Sequence, residues 1–212
     1  MATPALYVLA GVNGSGRSSI GGAKMESQGV EYYNPDRVAR KLRDMHPTMT
    51  PGVANSHTWM LGKELLEQSI ARKDVYAFET TLGGHTITNL LISGATAGMQ
   101  VKIWYVGLES VERNIARVRA RVERGGHDIP VADIRKRWDS SRRNLIALLP
   151  QLHSLRLYDN SHEADPHEGK PPRPQLLLHV EARKIVEPNG LSRAPEWAKP
   201  IIAGALNTYK AS

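Results

Sequence analysis

The stretch Gly11-Val12-Asn13-Gly14-Ser15-Gly16-Arg17-Ser18 decides the fold of this chain. The apolar run before it, Ala5 to Ala10, predicts a buried strand, and Ser18 to Met25 predicts the start of a helix. A glycine-rich turn between a strand and a helix lets backbone N–H groups converge on an anion, and the helix dipole adds positive potential. We therefore expect a phosphate-binding loop, whose residues are Gly11, Asn13, Gly14, Ser15, Gly16, Arg17, Ser18 and Ser19.

The spacing of this loop is that of the Walker A motif, G-x-x-x-x-G-K-[ST], except that Arg17 replaces the lysine. The Ser18 hydroxyl is the expected Mg²⁺ ligand. A guanidinium is planar and wider than an ammonium group; it can bind phosphate through two hydrogen bonds, but at a different depth. Because a misplacement of about 1 Å can cost about a hundredfold in rate, two outcomes stay open. The site is either active with a lowered turnover, or it belongs to a catalytically inactive relative.

Length and composition favour one domain, residues 1–212, in the cytoplasm. The 212 residues contain no cysteine, which excludes disulfides, cysteine–zinc sites and thiol catalysis. We identify neither a signal peptide nor a membrane-spanning segment. The net charge of +7 is typical of nucleic-acid-binding proteins, but the arginines concentrate between Val111 and Arg143 with few aromatic residues among them. This pattern favours a small phosphate-bearing substrate over nucleic acid.

Strands alternate with helices along the chain, which predicts an α/β fold with a mostly parallel sheet and helices on both faces. Further strands are expected at 75–78, 101–106, 155–161 and, at the edge, 176–186. Helices are expected at 36–42, 54–72, 85–98, from 131 and at 195–209, with loops at 46–52 and 162–174. A further helix is expected to run to about Arg124, with Ser110 as its cap. Ligands of such sheets bind beyond the carboxyl ends of the strands. Glu79, Thr80 and Thr81 lie at such an end, where they can hold a sugar or the water shell of a metal, or simply hydrogen-bond the end of the strand.

An arginine-rich helical hairpin, about residues 111–143, is expected to form a lid over phosphates. Arg117, Arg121 and Arg124 share one face of its first helix; a solvated basic face is the alternative. Arg135, Arg137 and Arg142 are the corresponding candidates on the second helix. His127 and Asp128 lie in the turn between the helices, and we expect Asp128 to cap the second one.

Five motifs together resemble the zeta toxin family of P-loop kinases, over most of Leu6 to Ser161. They are the glycine-rich loop, N-P-D at Asn34–Asp36, F-E-T-T-L at Phe78–Leu82, R-V-R-A-R-V-E-R-G-G-H-D-I-P at Arg117–Pro130 and Y-D-N-S at Tyr158–Ser161. The resemblance implies a P-loop NTPase fold like that of nucleoside kinases, a three-layer α/β sandwich with a helical lid. It also implies ATP or GTP with Mg²⁺ as donor, a hydroxyl of UDP-N-acetylglucosamine as acceptor, and a separate antitoxin protein.

The same resemblance assigns roles to single residues. It makes Asp36 the base that accepts the proton of the acceptor hydroxyl, whereas position alone also fits an acid that stabilises the start of a helix. It makes Thr81 a substrate contact. Independently of the resemblance, one or two of Arg117, Arg121 and Arg124 are expected to reach the γ-phosphate and stabilise the charge that develops on the transferred group. Two other functions remain open: a kinase for another small metabolite, and a nucleotide-binding protein with weak or no catalysis because of Arg17.

Overall fold

Six strands form one sheet in the computed structural model, which describes residues 3–22, 32–124, 126, 128–162, 174–187 and 194–209. The strands are β1 (Ala5–Gly11), β2 (Tyr76–Thr80), β3 (Gln100–Gly107), β4 (Leu152–Asp159), β5 (Gln175–Glu181) and β6 (Lys184–Glu187). Their order across the sheet is β2-β1-β3-β4-β5-β6. The first four are parallel, and β5 and β6 add antiparallel. The predicted mostly parallel sheet is confirmed, and the segment predicted at 176–186 forms β5 and the edge strand β6.

Six α-helices connect and cover the strands within the described ranges. They are α1 (Pro35–Met45), α2 (Pro51–Arg72), α3 (His85–Thr96), α4 (Val111–Glu123), α5 (Val131–Leu148) and α6 (Lys199–Thr208). A π-helical turn follows the glycine-rich loop at Ser18–Gly22. None of the described helices has the length and apolar character needed to cross a membrane.

The main core lies on one face of the sheet. Alternate residues of β1 and β3, among them Leu6, Val8 and Ile103, are fully buried there against α2, α3, α5 and α6. Leu145 and Leu148 anchor α5 in this core. On the opposite face Leu9 and Ala77 pack with Tyr32. This packing fixes the carboxyl ends of the parallel strands at one edge of the sheet.

The strand register places the ends of the neighbouring parallel strands side by side at the candidate site. Ala10 of β1 pairs with Thr80, Gly11 pairs with Val106, and Gly107 pairs with Asp159. The glycine-rich loop therefore lies between the ends of β2 and β3, as predicted for ligands of parallel sheets.

Several predicted boundaries were wrong, each for a local reason. Helix α2 begins at Pro51 rather than at 54, because the Thr50 hydroxyl caps it and proline suits the first helical position. The described start of the first predicted helix is a π-helical turn, and residues 23–31 are outside the described part. Strand β4 runs from 152 to 159 rather than from 155 to 161, and α6 begins at Lys199 rather than at 195. Most of the predicted loop 162–174 is likewise outside the described residues.

Candidate active site

The glycine-rich loop has a backbone that only glycine adopts readily. Gly11 has φ +143°, and a Cβ there would lie 2.1 Å from the Val106 carbonyl oxygen of the neighbouring strand. Gly16 has φ +81°, and a Cβ there would lie 2.7 Å from the Asn160 amide nitrogen. The glycines therefore allow the loop to pass close to β3 and to the end of β4, which leaves it compact enough to enclose an anion.

Arg17 turns back beneath the loop and binds protein groups. Its Nε and Nη2 donate to Glu79 Oε1 at 3.1 and 3.0 Å. Its Nη1 donates to the carbonyl oxygens of Gly11 and Val12. The side chains of Arg17 and Glu79 are only 12% and 5% exposed, so this is a buried ion pair. The guanidinium thus joins the first turn of the loop to the end of β2.

Glu79 is the centre of this network. Its Oε2 accepts hydrogen bonds from the Ser18 hydroxyl at 2.8 Å and from the Asn34 amide at 2.9 Å. A buried carboxylate needs such partners, because desolvation otherwise makes its charge very costly. The prediction placed Glu79 at the rim of the site; the structure puts it against the loop itself.

Ser18 and Glu79 fit a magnesium site. Both offer hard oxygen atoms, and they already lie 2.8 Å apart beside the phosphate loop. Magnesium at nucleotide sites takes one or two protein oxygens and completes its shell with phosphates and water. No cluster of three or more His, Cys, Asp or Glu residues suited to a metal occurs among the described residues.

Asn160 and Arg117 hold the other side of the loop. Asn160 Nδ2 donates to the Ser15 carbonyl oxygen at 2.8 Å, and Arg117 Nη2 donates to the Asn160 carbonyl oxygen at 2.9 Å. Asn13 Oδ1, Ser15 Oγ and Asn160 Oδ1 are buried without hydrogen-bond partners. Buried polar atoms nearly always have a partner, so this part of the loop retains unused hydrogen-bonding capacity.

A cavity of about 750 Å³ opens beside the phosphate loop. Its walls come from the loop, the start of α1, the middle of α2, the end of β2, the start of α3 and α5. The side chains that give it chemical character are Asn13, Arg17, Asp36, Trp59, Lys63, Glu79, Thr80, Thr81, Lys136 and Arg137. Apolar, cationic and carboxylate groups thus face one space, which suits a polar organic acceptor.

Asp36 lies at the mouth of this cavity, in the first turn of α1. The Asn34 side chain caps that helix by accepting from the Arg37 backbone N–H at 3.0 Å. Asp36 is 62% exposed, and Arg121 of α4 brings its Nη1 to 3.9 Å from Asp36 Oδ2. A lid arginine and the predicted base therefore meet at the edge of the cavity.

The segment Thr81–Gly84, which we call the acceptor loop, forms another wall of the cavity. Thr81, Gly83 and Gly84 line it, and Thr80 Oγ1 accepts from the Leu82 backbone N–H at 3.1 Å. Behind the loop the Tyr105 hydroxyl lies 2.9 Å from Ser141 Oγ. Burial raises the pKa of Tyr105 to about 12, so its hydroxyl stays protonated at neutral pH.

The predicted arginines have different surroundings in the structure. Arg117 and Arg121 reach the loop and Asp36, whereas Arg124 follows the last turn of α4 and is exposed. On α5, Arg137 lines the cavity, Arg135 pairs with Glu112, and Arg142 pairs with Asp139 and lies over the Trp138 ring.

The remaining predictions concern the turn of the hairpin and the end of the phosphate loop. Asp128 Oδ1 accepts from the Ile129 backbone N–H, and Pro130 occupies the N-cap position, so the predicted capping by Asp128 was wrong. His127 and the side chain of Ser19 lie outside the described part of the structure.

Sequence reasoning missed two asparagines. Asn34 was treated only as part of N-P-D, yet it binds Glu79 and caps α1. Asn114 is fully buried on α4, and both its side-chain polar atoms lack partners. A polar residue beside the apolar stripe Val111, Ile115, Val118 was the available signal for Asn114.

Solved structures share this fold at low sequence identity. The chain matches AvrRxo1-ORF1:AvrRxo1-ORF2 crystallised with sulphate ions (TM-score 0.67, 14% identity, 96% of this chain, 64% of that chain). It also matches the PezAT chromosomal toxin–antitoxin system of Streptococcus pneumoniae (TM-score 0.55, 13% identity, 75% of this chain, 68% of that chain). The chain has the same fold as these two proteins. This confirms the predicted α/β fold class with a mostly parallel sheet.

Sequence comparisons add less to this fold assignment. No family model matches the chain. A Haemophilus influenzae protein that bears the name "Uncharacterized protein" is 27% identical over 128 residues, which is 60% of this chain and 88% of that protein. The AvrRxo1 complex has also been crystallised with ATP, again with 64% of that chain covered. The chain therefore spans just under two thirds of the AvrRxo1 chain in these two structures.

Proposed function

We propose that this chain is a zeta-toxin-like small-molecule kinase that uses ATP or GTP with Mg²⁺. The observation that carries the proposal is the meeting of Arg121 and Asp36, 3.9 Å apart, where Asp36 lines the same cavity as Asn13 and Arg17 of the phosphate loop. Phosphoryl transfer needs a cation that stabilises the transferred phosphoryl group and, close to it, a carboxylate that accepts the proton of the acceptor hydroxyl. The ATP-bound neighbour of the same fold supports a nucleotide as donor.

The proposed reaction divides the site into a donor side and an acceptor side. Backbone N–H groups from Gly11 to Ser18 would hold the β- and γ-phosphates. Ser18 with Glu79 would hold Mg²⁺, whose charge would neutralise that of the phosphates. An acceptor hydroxyl oxygen forms the new bond to the γ-phosphorus, while the bond from that phosphorus to the bridging oxygen breaks. The nucleoside diphosphate leaves, Asp36 receives the hydroxyl proton, and Arg117 and Arg121 stabilise the charge.

The acceptor in this proposal is a hydroxyl of UDP-N-acetylglucosamine or of another small polar metabolite. The cavity supports such a ligand, since Trp59 offers a flat apolar surface while Lys63, Lys136 and Arg137 offer positive charge. Thr81 and the other hydroxyl and carboxylate groups at the end of β2 supply hydrogen bonds for a sugar.

A direct assay tests the proposal. The purified chain is incubated with Mg²⁺, ATP or GTP, and a panel of hydroxyl acceptors that includes UDP-N-acetylglucosamine, and mass spectrometry detects any acceptor that gains a phosphoryl group. We expect Asp36→Asn to lower kcat about 10²–10⁴-fold. Asp44→Asn, an exposed aspartate of the same helix, is the matched control.

The outcomes of this assay separate the alternatives. Transfer only to an acceptor other than the nucleotide sugar identifies a different metabolite kinase. Calorimetric binding of nucleotide without transfer to any acceptor, even after Arg17→Lys, identifies a catalytically weak nucleotide-binding protein. Absence of nucleotide binding overturns the kinase proposal altogether.

An antitoxin is the partner that this proposal includes. The PezAT neighbour comes from a toxin–antitoxin system. On the present chain α2 exposes Val53, Trp59, Met60 and Leu61, and two of these, Trp59 and Met60, line the cavity. Expression in bacteria should slow growth, and Asp36→Asn should remove this effect. A chain that leaves growth unchanged while it phosphorylates its acceptor would remove the toxin–antitoxin part alone.

A further inference from the structure

The acceptor loop is held from behind by one face of α5. All four of its backbone carbonyl oxygens accept hydrogen bonds from α5 side chains. The pairs are Ser141 Oγ to Thr81 O (2.6 Å), Asn144 Nδ2 to Leu82 O (2.7 Å), Ser140 Oγ to Gly83 O (2.8 Å) and Asn144 Nδ2 to Gly84 O (3.3 Å). Three side chains within two helical turns therefore fix every peptide oxygen of the loop.

The loop needs this support because its backbone is unfavourable at one residue. Leu82 has φ +55°, a left-handed conformation that non-glycine residues rarely adopt, and it is fully buried. Such a conformation persists only where the surrounding structure determines it. The Asn144 amide, 4% exposed, and the Thr80 hydroxyl hold the peptide groups of Leu82 from both sides.

The α5 face that binds the loop is itself fixed. Leu145 and Leu148 are fully buried in the main core, and the Tyr105 hydroxyl hydrogen-bonds Ser141. The first helix of the predicted lid, α4, instead carries Arg117 and Arg121 toward the phosphate loop and the mouth of the cavity. The two helices of the hairpin are therefore attached to different parts of the site.

We propose that Ser140, Ser141 and Asn144 are positioning residues that set the acceptor wall of the cavity. They act through the carbonyl oxygens of Thr81 to Gly84 and contact neither substrate. It follows that α5 is a fixed support for this wall of the cavity. This inference rests on the proposed kinase function, because it assigns an acceptor to the cavity.

Kinetic measurements on the least buried of the three residues test the proposal. Ser140→Ala should lower kcat/KM for the acceptor roughly tenfold, while KM for the nucleotide changes less than about twofold. Ser140→Thr keeps the hydroxyl and should restore most of the loss. Ser93→Ala is the matched control, since the exposed Ser93 hydroxyl donates to the Asn89 carbonyl oxygen within its own helix, α3. Asn144→Ala should act in the same direction with a larger effect.

Amide hydrogen exchange provides a readout that does not depend on catalysis. Faster exchange at Leu82 to Gly84 in Ser140→Ala and Asn144→Ala, with unchanged thermal midpoints for Ser140→Ala, supports the positioning role. Exchange equal to that of the wild type, or an equal shift of both KM values, overturns it. If the wild type transfers phosphate to no acceptor, the proposed function fails, while exchange still decides whether α5 holds the loop.

Discussion

The phosphate loop and the acceptor loop are built in opposite ways. In the phosphate loop, glycines give the backbone its path, and Asn13 and Ser15 leave polar side-chain atoms without partners. In the acceptor loop, every carbonyl oxygen is bound by α5 and the residue with positive φ is a leucine. One loop is shaped by its own sequence, and the other by residues about 60 positions away. The first loop is therefore recognisable as a motif, and the second is not.

Glu79 joins the two loops, because it lies in β2 directly before the last residue, Thr80, and binds Arg17 and Ser18 of the phosphate loop. Removing the Glu79 carboxylate should therefore break the connection between the two loops. Glu79→Ala leaves the buried guanidinium of Arg17 without its counter-ion, and such losses cost about 3–5 kcal/mol of unfolding free energy. Urea unfolding measures this directly.

The control for Glu79 is an exposed carboxylate. Glu67 pairs with Lys63 one helical turn away, and Glu67→Ala should cost only about 0.3–0.5 kcal/mol. If both variants lose stability to the same small extent, Arg17 does not depend on Glu79, and the two loops are independent.

The lid arginine that reaches Asp36 should matter for turnover rather than for stability. Arg121→Ala should lower kcat about 10²–10³-fold, the usual cost of losing a group that stabilises transition-state charge. Its side chain is 38% exposed, so the unfolding free energy should change little. Steady-state kinetics against Arg119→Ala, an exposed arginine on the same helix, measure the effect. Equal kcat values for the two variants would remove Arg121 from the site.

The sequence predicted the features whose cause is local. The strand before Gly11, the Walker spacing and the helix cap at Ser110 are each set by neighbouring residues, and Ser110 does accept from the Arg113 backbone N–H. Alternation of strands and helices was sufficient for the mostly parallel sheet. These predictions needed only periodicity and known backbone preferences.

Features that depend on tertiary contacts could not be predicted in this way. Arg17 has the position of a phosphate-binding residue in sequence, but its partner Glu79 lies 62 residues away. Ser140, Ser141 and Asn144 look like ordinary polar residues of an exposed helix until the fold places them against Thr81 to Gly84. The π-helical turn after Ser18 likewise has no pattern of its own in the sequence.

Arg17→Lys tests whether the phosphate loop depends on this long-range pair. A lysine keeps the charge but cannot bind Glu79 and the two carbonyl oxygens together, so stability should fall by about 1–3 kcal/mol. Because Arg17 donates to protein groups, the ATP dissociation constant from calorimetry should stay within about threefold. A tenfold weaker affinity with unchanged stability would instead place Arg17 on the phosphates.

The smallest effect is expected behind the acceptor loop. Burial raises the pKa of Tyr105 to about 12 from 10.0, so folding favours its protonated form. This stabilisation is complete below about pH 10 and is lost as the pH rises toward 12. Near pH 8, Tyr105→Phe should lower the free energy of unfolding by about 1 kcal/mol, because the hydrogen bond to Ser141 is lost. Since phenylalanine does not titrate, the variant should lose less stability than the wild type as the pH rises above 10. Urea unfolding at several pH values, with Tyr7→Phe as the control, measures both changes. If the free energies of unfolding of the wild type and Tyr105→Phe change with pH in parallel, the phenol titrates in the folded chain as it does in the unfolded chain. Ser141 would then hold the acceptor loop without support from Tyr105 of β3.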